Sequence, residues 1–354
     1  MQQTILFAIL NWGLGHATRS IPLINYLLKK QYKLIICSDG DALALLQKEF
    51  PHLIFEKTPA YNASYTKNKN QLFIHLAKQI PHFIKIIKEE NRLCEKLIEK
   101  HQANFIISDN RYGFYNKNIH SALICHQLRL LFPQSRLFEN MVNASYINFL
   151  KPFSEIWIPD IAPPKNLSGR MSQTNLKNTH YIGIDSRFIK TKPTESINIL
   201  AVISGPEPQR TLLEQKIYTQ LQNIEGNHLI VRGTKQKSEV VNTENITVVD
   251  LATTQQLNQW LINAETVISR CGYTTIMDLI KLNKKAILIP TPAQPEQEHL
   301  AQKLMKNKWF LSAKQDELNI AATQKQLINY APPNISLGYN EEIIDAFVIP
   351  IRNI

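Results

Sequence analysis

Residues 266–290 read TVISRCGYTTIMDLIKLNKKAILIP, and this stretch decides the fold. An apolar run ends at Arg270, Gly272 follows, and a segment with helical periodicity leads into a second apolar run at 285–290. The order strand, glycine turn, helix, strand is typical of a parallel sheet covered by helices. Further apolar runs that predict strands lie at 4–10, 33–38, 105–108, 122–126 and 155–159, and at 198–204, 227–232 and 247–250. We therefore predict an α/β protein with two parallel sheets.

The length of the chain and a change of composition predict how the two sheets are divided. The 354 residues are enough for two domains of ordinary size. Residues 181–195 pass from an apolar run into a polar stretch that contains Pro193, as is typical of a linker. We predict a Rossmann-like domain at 1–188, a linker at 189–196, a second Rossmann-like domain at 197–335, and a tail at 336–354 that could dock back across the domains.

The composition and the sequence pattern indicate which partners and which location to expect for the protein. The chain has 40 Lys and Arg against 29 Asp and Glu, a net charge of +11, which favours an acidic partner. No nucleic-acid-binding motif is present, so we do not expect nucleic acid to be that partner. No run approaches the roughly 20 apolar residues of a membrane span, and residues 1–10 lack the basic start of a signal peptide. We expect a cytoplasmic protein.

Residues 71–101 are both apolar and basic, with helical spacing of their apolar positions. Pro81 is expected to break or kink this helix. A helix lying on an anionic membrane surface has this pattern, and so does a helix packed on the first domain with solvated lysines. The sequence leaves both alternatives open, including peripheral association with the inner face of the membrane.

The turn at Gly272 predicts a site for an anion. A helix that begins there presents free N–H groups and the positive end of its dipole, which suit a phosphate. Asp278 follows about one turn later, where a carboxylate could accept hydrogen bonds from the diol of a ribose. Gly205, Gln209, Arg210 and Arg232 lie at the ends of neighbouring predicted strands, where they could meet the same anion. Phosphate and ribose together suggest a nucleotide.

The first turn of the chain, at residues 11–20, predicts an acid–base group. Gly13 and Gly15 fit a GxGxxG dinucleotide fingerprint, but Thr18 replaces the third glycine. An oxidoreductase is therefore disfavoured, although Asp39 at the end of the second strand keeps it as an alternative. His16 lies beside this flexible backbone, where an imidazole could take a proton from a hydroxyl group.

Polar residues also follow the later strands of the first domain, and we expect them to line the same site as His16. Asp109 would orient His16 or bind substrate hydroxyls. The others are Arg19, Asn110, Arg111, His126 and Gln127. Asp39 and Asp41 resemble the DxD that holds a metal-bound nucleotide sugar in another class of transferases, but a turn or helix cap explains them as well. We predict no metal site.

Three motifs together carry a resemblance. They are GxGH at 13–16, SRxGxxTxxD at 269–278 and PxxxxPEQEH at 290–299. This set resembles the family 28-like glycosyltransferases, which include the enzyme that adds N-acetylglucosamine to the peptidoglycan lipid precursor. The resemblance implies the GT-B fold, an α/β architecture of two Rossmann-like domains with parallel sheets that face a central cleft. It implies that Asp278 binds the donor ribose and that Arg187 approaches the diphosphate.

The resemblance also implies an activity: transfer of a sugar from a nucleotide donor, UDP in this family, to a hydroxyl acceptor, with inversion and without a metal or other cofactor. The acceptor could be lipid-linked. A UDP-sugar hydrolase like that of pseudaminic acid synthesis, a UDP-sugar epimerase and a non-catalytic nucleotide-sugar binder are the alternatives. The expected catalytic residues are His16 and Asp109. The expected donor-binding residues are Arg187, Gly205, Gln209, Arg210, Arg232, Gly272, Thr274, Thr275, Asp278, Gln297 and Glu298. The expected acceptor-side residues are Gly13, Gly15, Arg19, Asn110, Arg111, His126 and Gln127.

Overall fold

A computed structural model describes residues 3–62, 72–132, 135–234 and 238–348. The chain divides into two compact units. Of the described residues, the first comprises 3–62, 74–132, 135–185 and 336–348, and the second comprises 72–73, 186–234 and 238–335. The division falls between Asp185 and Ser186, so the stretch at 189–196 that was expected to be a linker is grouped with the second unit.

The first unit is built on a seven-stranded parallel sheet with the strand order β3-β2-β1-β4-β5-β6-β7. Its elements up to residue 184 are β1 (Thr4–Ile9), α1 (Gly15–Lys29), β2 (Lys33–Ser38), α2 (Gly40–Glu49), β3 (Ile54–Lys57), α3 (Leu72–His101), β4 (Phe105–Asp109), β5 (His120–Ile124), α4 (Arg136–Leu150), β6 (Glu155–Ile158), a 3-10 helix (Gly169–Ser172), β7 (Thr179–Tyr181) and β8 (Gly183–Ile184). The predicted parallel sheet is confirmed. The predictions missed β3 and β7, because these edge strands are partly exposed and contain polar residues.

Both faces of this sheet are covered by helices. Ile5, Phe7 and Ile9 of β1 belong to one buried cluster, and the alternate residues Leu6 and Ala8 belong to another on the opposite face. This alternation follows from the two-residue period of a strand. Each strand in the middle of the sheet is therefore buried on both sides, which explains why its sequence is a continuous apolar run.

Helix α3 runs from Leu72 to His101, so of the break or kink expected at Pro81 the break does not occur. A proline inside a helix removes one N–H donor and crowds the preceding turn. The part of α3 that follows it is held by packing: Ile86 contacts Leu10 and Tyr61, and Cys94 lies in the buried cluster beneath the sheet. Within the described part of the chain, no helix is long and apolar enough to cross a membrane.

The second unit contains a six-stranded parallel sheet with the strand order β11-β10-β9-β12-β13-β14. Its elements are β9 (Ile197–Val202), α5 (Gln209–Leu221), β10 (His228–Val231), β11 (Ile246–Val249), α6 (Thr254–Asn263), β12 (Ala264–Arg270), α7 (Tyr273–Leu282), β13 (Ala286–Ile289), α8 (Pro295–Lys306), β14 (Leu311–Ser312), α9 (Ile320–Gln326) and a 3-10 helix (Leu327–Asn329). The strand–helix–strand order predicted for 266–290 is thus present as β12, α7 and β13.

The chain then returns to the first unit. Strand β15 (Gly338–Tyr339) pairs antiparallel with β8, and α10 (Glu341–Val348) follows. Phe347 is buried against Phe105 and Trp157, with ring centroids 5.8 and 5.0 Å away. Asp345 accepts hydrogen bonds from Tyr26 at 2.6 Å and Lys30 at 2.7 Å. The last part of the predicted tail, residues 349–354, lies outside the described residues.

A buried arginine ties together three elements of the first unit. Arg111 is 0% exposed, and its guanidinium forms ion pairs with Asp39, at the start of α2, and Glu90 of α3. It also donates to the carbonyl oxygen of Ile9 at 2.9 Å and to that of Pro59 at 3.1 Å. Removing one member of a buried ion pair leaves its partner uncompensated, which is costly. Arg111 therefore stabilises the unit from within.

We expect Arg111→Gln to lower the free energy of unfolding by about 3–5 kcal/mol, because Asp39 and Glu90 would keep buried charges without their cation. Urea unfolding followed by tryptophan fluorescence measures the change. Arg136→Gln is the matched control, since Arg136 is exposed on α4 and its loss should change the free energy by no more than about 0.5 kcal/mol. Equal effects of the two substitutions would contradict this account of Arg111.

Candidate active site

Three neighbouring strands of the first sheet end at one edge. Ile9 of β1 lies opposite Asp109 of β4, and Asp109 lies opposite Ile124 of β5. The loop after β1 contains Gly13, whose φ of +76° lies in the left-handed region, and a Cβ there would meet nothing within 4 Å. The glycine is therefore needed for its backbone conformation, not for space. Helix α1 begins two residues later and brings His16 to Asp109.

His16 and Asp109 form a hydrogen-bonded pair. His16 Nδ1 lies 2.8 Å from Asp109 Oδ1, and Arg19 Nε donates to Asp109 Oδ2 at 2.8 Å. Arg19 also forms an ion pair with the same carboxylate, and Ser20 Oγ lies 3.1 Å from its Oδ2. Asp109 is completely buried, whereas 15% of the His16 side chain is exposed. The sequence analysis placed His16 and Asp109 in one site, and the structure brings them into contact.

The electrostatics of this cluster determine the protonation state of each group. Burial alone would raise the pKa of Asp109, but Arg19 and His16 outweigh it and hold that pKa well below the ordinary range. Burial and the Arg19 charge lower the pKa of His16 from its usual 6.5, although Asp109 acts in the opposite direction. His16 is therefore neutral at pH 7. Because an ionised carboxylate only accepts hydrogen bonds, Nδ1 carries the proton and Nε2 is left as the basic atom.

The remaining acceptor-side candidates occupy different positions around this pair. Arg19 and His126 are buried, with Arg19 Nη1 3.1 Å from His126 Nδ1, so they support the pair from beneath. Asn110 has a φ of +55°, and its buried Oδ1 has no hydrogen-bond partner among the described residues. That oxygen is available to a substrate hydroxyl. Gln127 is half-buried, and its carbonyl oxygen accepts a hydrogen bond from Tyr146 at 3.0 Å.

One sequence candidate in the first unit is placed differently from the expectation. Arg111 was expected on the acceptor side, but it is completely buried in its ion pairs with Asp39 and Glu90. The Asp39 carboxylate also accepts from Asn11 Nδ2 at 3.2 Å, while Asp41 is exposed in the first turn of α2. Among the described residues, no three His, Cys, Asp or Glu side chains gather so that they could hold a metal ion.

In the second unit, Arg210 and Arg232 are held by carboxylates. Both guanidinium groups pair with buried Glu214; Arg210 also pairs with Glu207 and Arg232 with Asp250. Each arginine side chain is only 5% exposed. Their charges are thus balanced inside the protein, and the structure does not support the expectation that they bind a phosphate directly.

Arg270 is the cation that the sequence analysis missed. It ends β12 and is 2% exposed, and its guanidinium donates to carbonyl oxygens, including that of Gln209 at 2.6 Å and that of Ser204 at 3.4 Å. In the described part of the chain no carboxylate pairs with it, and burial lowers its pKa to about 10. A buried cation without an anion is costly unless a ligand supplies one. The signal in the sequence was an arginine at the end of an apolar strand, directly before the glycine turn.

The surroundings of Arg270 suit an anion. Gly205, which follows β9, has a φ of +109°, and a Cβ there would lie 3.8 Å from Arg270 Nε and 3.7 Å from Thr291 Oγ1. Thr291 Oγ1 is buried and has no hydrogen-bond partner among the described residues. Gly272 is the N-cap residue of α7, whose first turn includes Thr274 and Thr275. Exposed Gly205 therefore borders a cation and a hydroxyl without a partner among the described residues, and α7 begins shortly after the strand that ends at Arg270.

Asp278 lies in α7, one turn beyond these groups, and is half-buried. Burial raises its pKa to about 6, while a hydrogen bond from Ser186 and the charge of Arg187 act to lower it. Arg187 Nη1 donates to Thr254 Oγ1 at 3.0 Å, and the Arg187 guanidinium stacks over the Phe188 ring at 5.0 Å. Arg187 is thus close enough to affect the Asp278 carboxylate electrostatically.

The last three donor-side candidates all accept hydrogen bonds from other parts of the second unit. Gln297 Oε1 accepts from the backbone N–H of Thr291 at 2.9 Å, and Glu298 Oε1 accepts from that of Ala293 at 3.1 Å. Gln209 Oε1 accepts from Gln315 at 3.0 Å. Gln297 and Glu298 therefore shape the loop between β13 and α8. Both side chains remain partly exposed.

Comparison with known proteins identifies the family of the domain in the second unit. Residues 202–338 match the glycosyltransferase family 28 C-terminal domain. None of the curated proteins compared with the chain matches it. The second unit therefore carries a glycosyltransferase family 28 C-terminal domain.

Similar solved structures extend over almost the whole chain. The glycotransferase of kitacinnamycin has a TM-score of 0.66 at 11% identity, covering 93% of this chain and 90% of its own. MurG of Acinetobacter baumannii has a TM-score of 0.57 at 11% identity, covering 98% and 99%. VinC, solved in complex with dTDP, has a TM-score of 0.61 at 12% identity, covering 92% and 90%. These similarities establish the GT-B fold.

Proposed function

We propose that the protein transfers a sugar from a UDP-sugar to a hydroxyl group of an acceptor, with inversion at the anomeric carbon and without a metal ion or other cofactor. The observation that carries the proposal is the hydrogen bond between neutral His16 and ionised Asp109. It leaves His16 Nε2 as a base on a side chain that is partly exposed. The family 28 C-terminal domain supports sugar transfer as the reaction.

In the proposed reaction, His16 Nε2 removes the proton from the acceptor hydroxyl as its oxygen attacks the anomeric carbon. The bond between that carbon and the diphosphate oxygen breaks, and UDP leaves with the electron pair. Attack from the side opposite the leaving group inverts the configuration. Asp109 stabilises the imidazolium that forms, because its ionised carboxylate accepts the hydrogen bond from Nδ1.

The second unit would bind the donor. Arg270, the N–H groups at the start of α7 and the Thr291 hydroxyl would hold the diphosphate beside Gly205. Asp278 would accept hydrogen bonds from the ribose hydroxyls. The complex of VinC with dTDP supports a nucleoside diphosphate as the ligand class. Gln297 and Glu298 are the side chains proposed to meet the donor sugar.

The acceptor could be lipid-linked. Ile80 and Ile84 of α3 are 51% and 37% exposed, and Lys85 and Lys88 follow on the same helix. An apolar and basic surface of this kind suits the headgroup region of an anionic membrane. The proposal places the reaction in the cytoplasm, at the inner face of the membrane if the acceptor is a lipid.

The function can be tested by incubating the protein with a panel of nucleotide sugars, with and without lipid extract, and measuring free UDP and free sugar. Release of UDP that requires an acceptor supports transfer. The same His16–Asp109 pair could deprotonate water, so equal release of UDP and free sugar without any acceptor would identify a hydrolase instead. Binding of a nucleotide sugar without turnover under any condition would identify a binding protein.

We expect Asp278→Ala to weaken UDP binding at least about tenfold, or about 1.4 kcal/mol, because the ribose loses a charge-assisted hydrogen bond. Isothermal titration calorimetry of the folded variant measures the affinity. The matched control is Asp316→Ala, which removes an exposed carboxylate elsewhere in the second unit. Wild-type affinity in Asp278→Ala would refute this placement of the ribose.

His16→Ala should lose turnover by about 10²–10⁴-fold while it keeps UDP affinity, because the base is lost and the donor-binding residues are intact. In the wild-type enzyme the pH dependence of kcat should fall on the acid side with a midpoint below 6.5, since burial lowers the pKa of His16 and only the neutral imidazole is a base. Steady-state kinetics across pH measures both effects. Near wild-type turnover in His16→Ala would remove the histidine from catalysis.

Turnover should persist in excess EDTA, because Arg270 and the helix N-terminus supply the positive charge that a metal would otherwise provide. Arg270→Gln should correspondingly lower the affinity for UDP at least about tenfold and leave the much weaker affinity for uridine nearly unchanged. Calorimetry with both ligands separates the two effects. Loss of turnover in EDTA that Mg²⁺ or Mn²⁺ restores would contradict the metal-independent mechanism.

A further inference from the structure

A serine at the start of the second unit is bound to the proposed ribose carboxylate. Ser186 Oγ donates a hydrogen bond to Asp278 Oδ1. The same Oγ accepts a hydrogen bond from the backbone N–H of Phe188 at 3.2 Å. Ser186 is 8% exposed and Phe188 is 2% exposed, so the hydrogen bond between them is buried, whereas the one to half-buried Asp278 is partly buried. The two residues are far apart in sequence, and the resemblance to known glycosyltransferases assigned no role to Ser186.

The donor protons that each group carries fix the direction of these hydrogen bonds. A serine hydroxyl has one proton, and the backbone N–H of Phe188 can only donate. An ionised carboxylate can only accept, so the single Ser186 proton lies toward Asp278. The turn from Ser186 to Phe188 therefore orients the hydroxyl before any ligand arrives. The hydrogen bond from Ser186 also means that Oδ1 of Asp278 already has a donor within the protein.

The charge state of Asp278 depends on this contact. Burial favours the protonated acid and raises the pKa to about 6, and the Ser186 hydrogen bond is the larger of the two effects that oppose it. The other is the positive charge of Arg187, the charged group that faces the carboxylate. A protonated Asp278 would have an O–H to donate and fewer lone pairs to offer a diol. Binding of ribose thus requires the form that Ser186 stabilises.

We propose that Ser186 is a positioning residue for the nucleotide: it engages Asp278 Oδ1 and keeps the carboxylate ionised, so that Oδ2 is presented to the ribose hydroxyls. The inference rests on the proposed function, because it assumes that Asp278 binds the ribose. Ser186 itself does not contact the reacting atoms.

The test is the pH dependence of UDP binding to Ser186→Ala, measured by calorimetry on the full chain. Without the hydroxyl the pKa of Asp278 should rise by at least about one unit, as expected for a lost hydrogen bond to a charge. The ratio of wild-type to variant affinity should then grow about fivefold between about pH 8 and about pH 6. The ionisation of UDP itself is common to both proteins and cancels in this ratio.

Two control variants separate this role from general damage. Ser312→Ala removes a half-buried serine of the second unit that donates to the Leu288 carbonyl at 2.8 Å, and its affinity ratio should not change with pH. Ser186→Thr keeps a hydroxyl and should follow the wild-type profile. If Ser186→Ala does not fold, Ser186→Cys, which is a weak donor, serves in the same comparison.

The possible results distinguish the inference from the function on which it rests. If Asp278→Asn leaves UDP affinity unchanged, the placement of the ribose is wrong. If Asp278→Asn weakens binding but the Ser186→Ala ratio does not vary with pH, the ribose placement stands and the role of Ser186 is refuted. Tighter UDP binding by Ser186→Ala at all pH values would show that the hydroxyl competes with the ribose, which would also overturn the inference.

Discussion

The buried carboxylate of Asp109 is the interaction on which the candidate site of the first unit depends. A charge without access to water must be balanced where it lies. Here Arg19, one turn into α1, provides the balance through two hydrogen bonds, and His16 provides a third. These contacts join the beginning of α1 to the end of β4. The hydrogen bond between His16 and Asp109 also selects the tautomer of His16 and leaves Nε2 as the base. The interaction that balances the buried charge therefore also produces the catalytic group.

The second unit also balances a buried anion with cations. Glu214 is a buried anion that two cations, Arg210 and Arg232, neutralise. Arg270 lies at the end of a neighbouring strand and has carbonyl oxygens as its partners, which satisfy its N–H groups without cancelling its charge. The three arginines, in α5, after β10 and at the end of β12, therefore differ in what they can offer a ligand. Only a cation whose charge remains unbalanced by the described residues gains strongly when a diphosphate arrives.

These pairings explain what the sequence could and could not predict. The central strands are buried on both faces and so appear as apolar runs, and the rule that ligands bind at the carboxyl ends of parallel strands was enough to bring His16 and Asp109 together. The roles expected for Arg111, Arg210 and Arg232 followed the same rule, but each of these arginines is neutralised by a carboxylate. The carboxylates that pair with Arg111 and Arg232 lie on other elements, whereas Arg210 pairs with Glu214 of its own helix and with Glu207 just before it. Glu90 and Glu214 lie within helices, where a carboxylate in the sequence gives no sign of being buried. Arg270 was missed because its own lack of such a partner is visible only in three dimensions.

Two titrations set the pH range in which the proposed site can work. His16 must be neutral, and burial together with Arg19 lowers its pKa below 6.5. Asp278 must be ionised, and its pKa of about 6 is kept there by Ser186 and Arg187 against the effect of burial. Burial thus helps the histidine, whose useful form is uncharged, and hinders the aspartate, whose useful form is charged. The aspartate therefore needs additional donors where the histidine needs none, and both groups reach their working forms together as the pH rises toward neutrality.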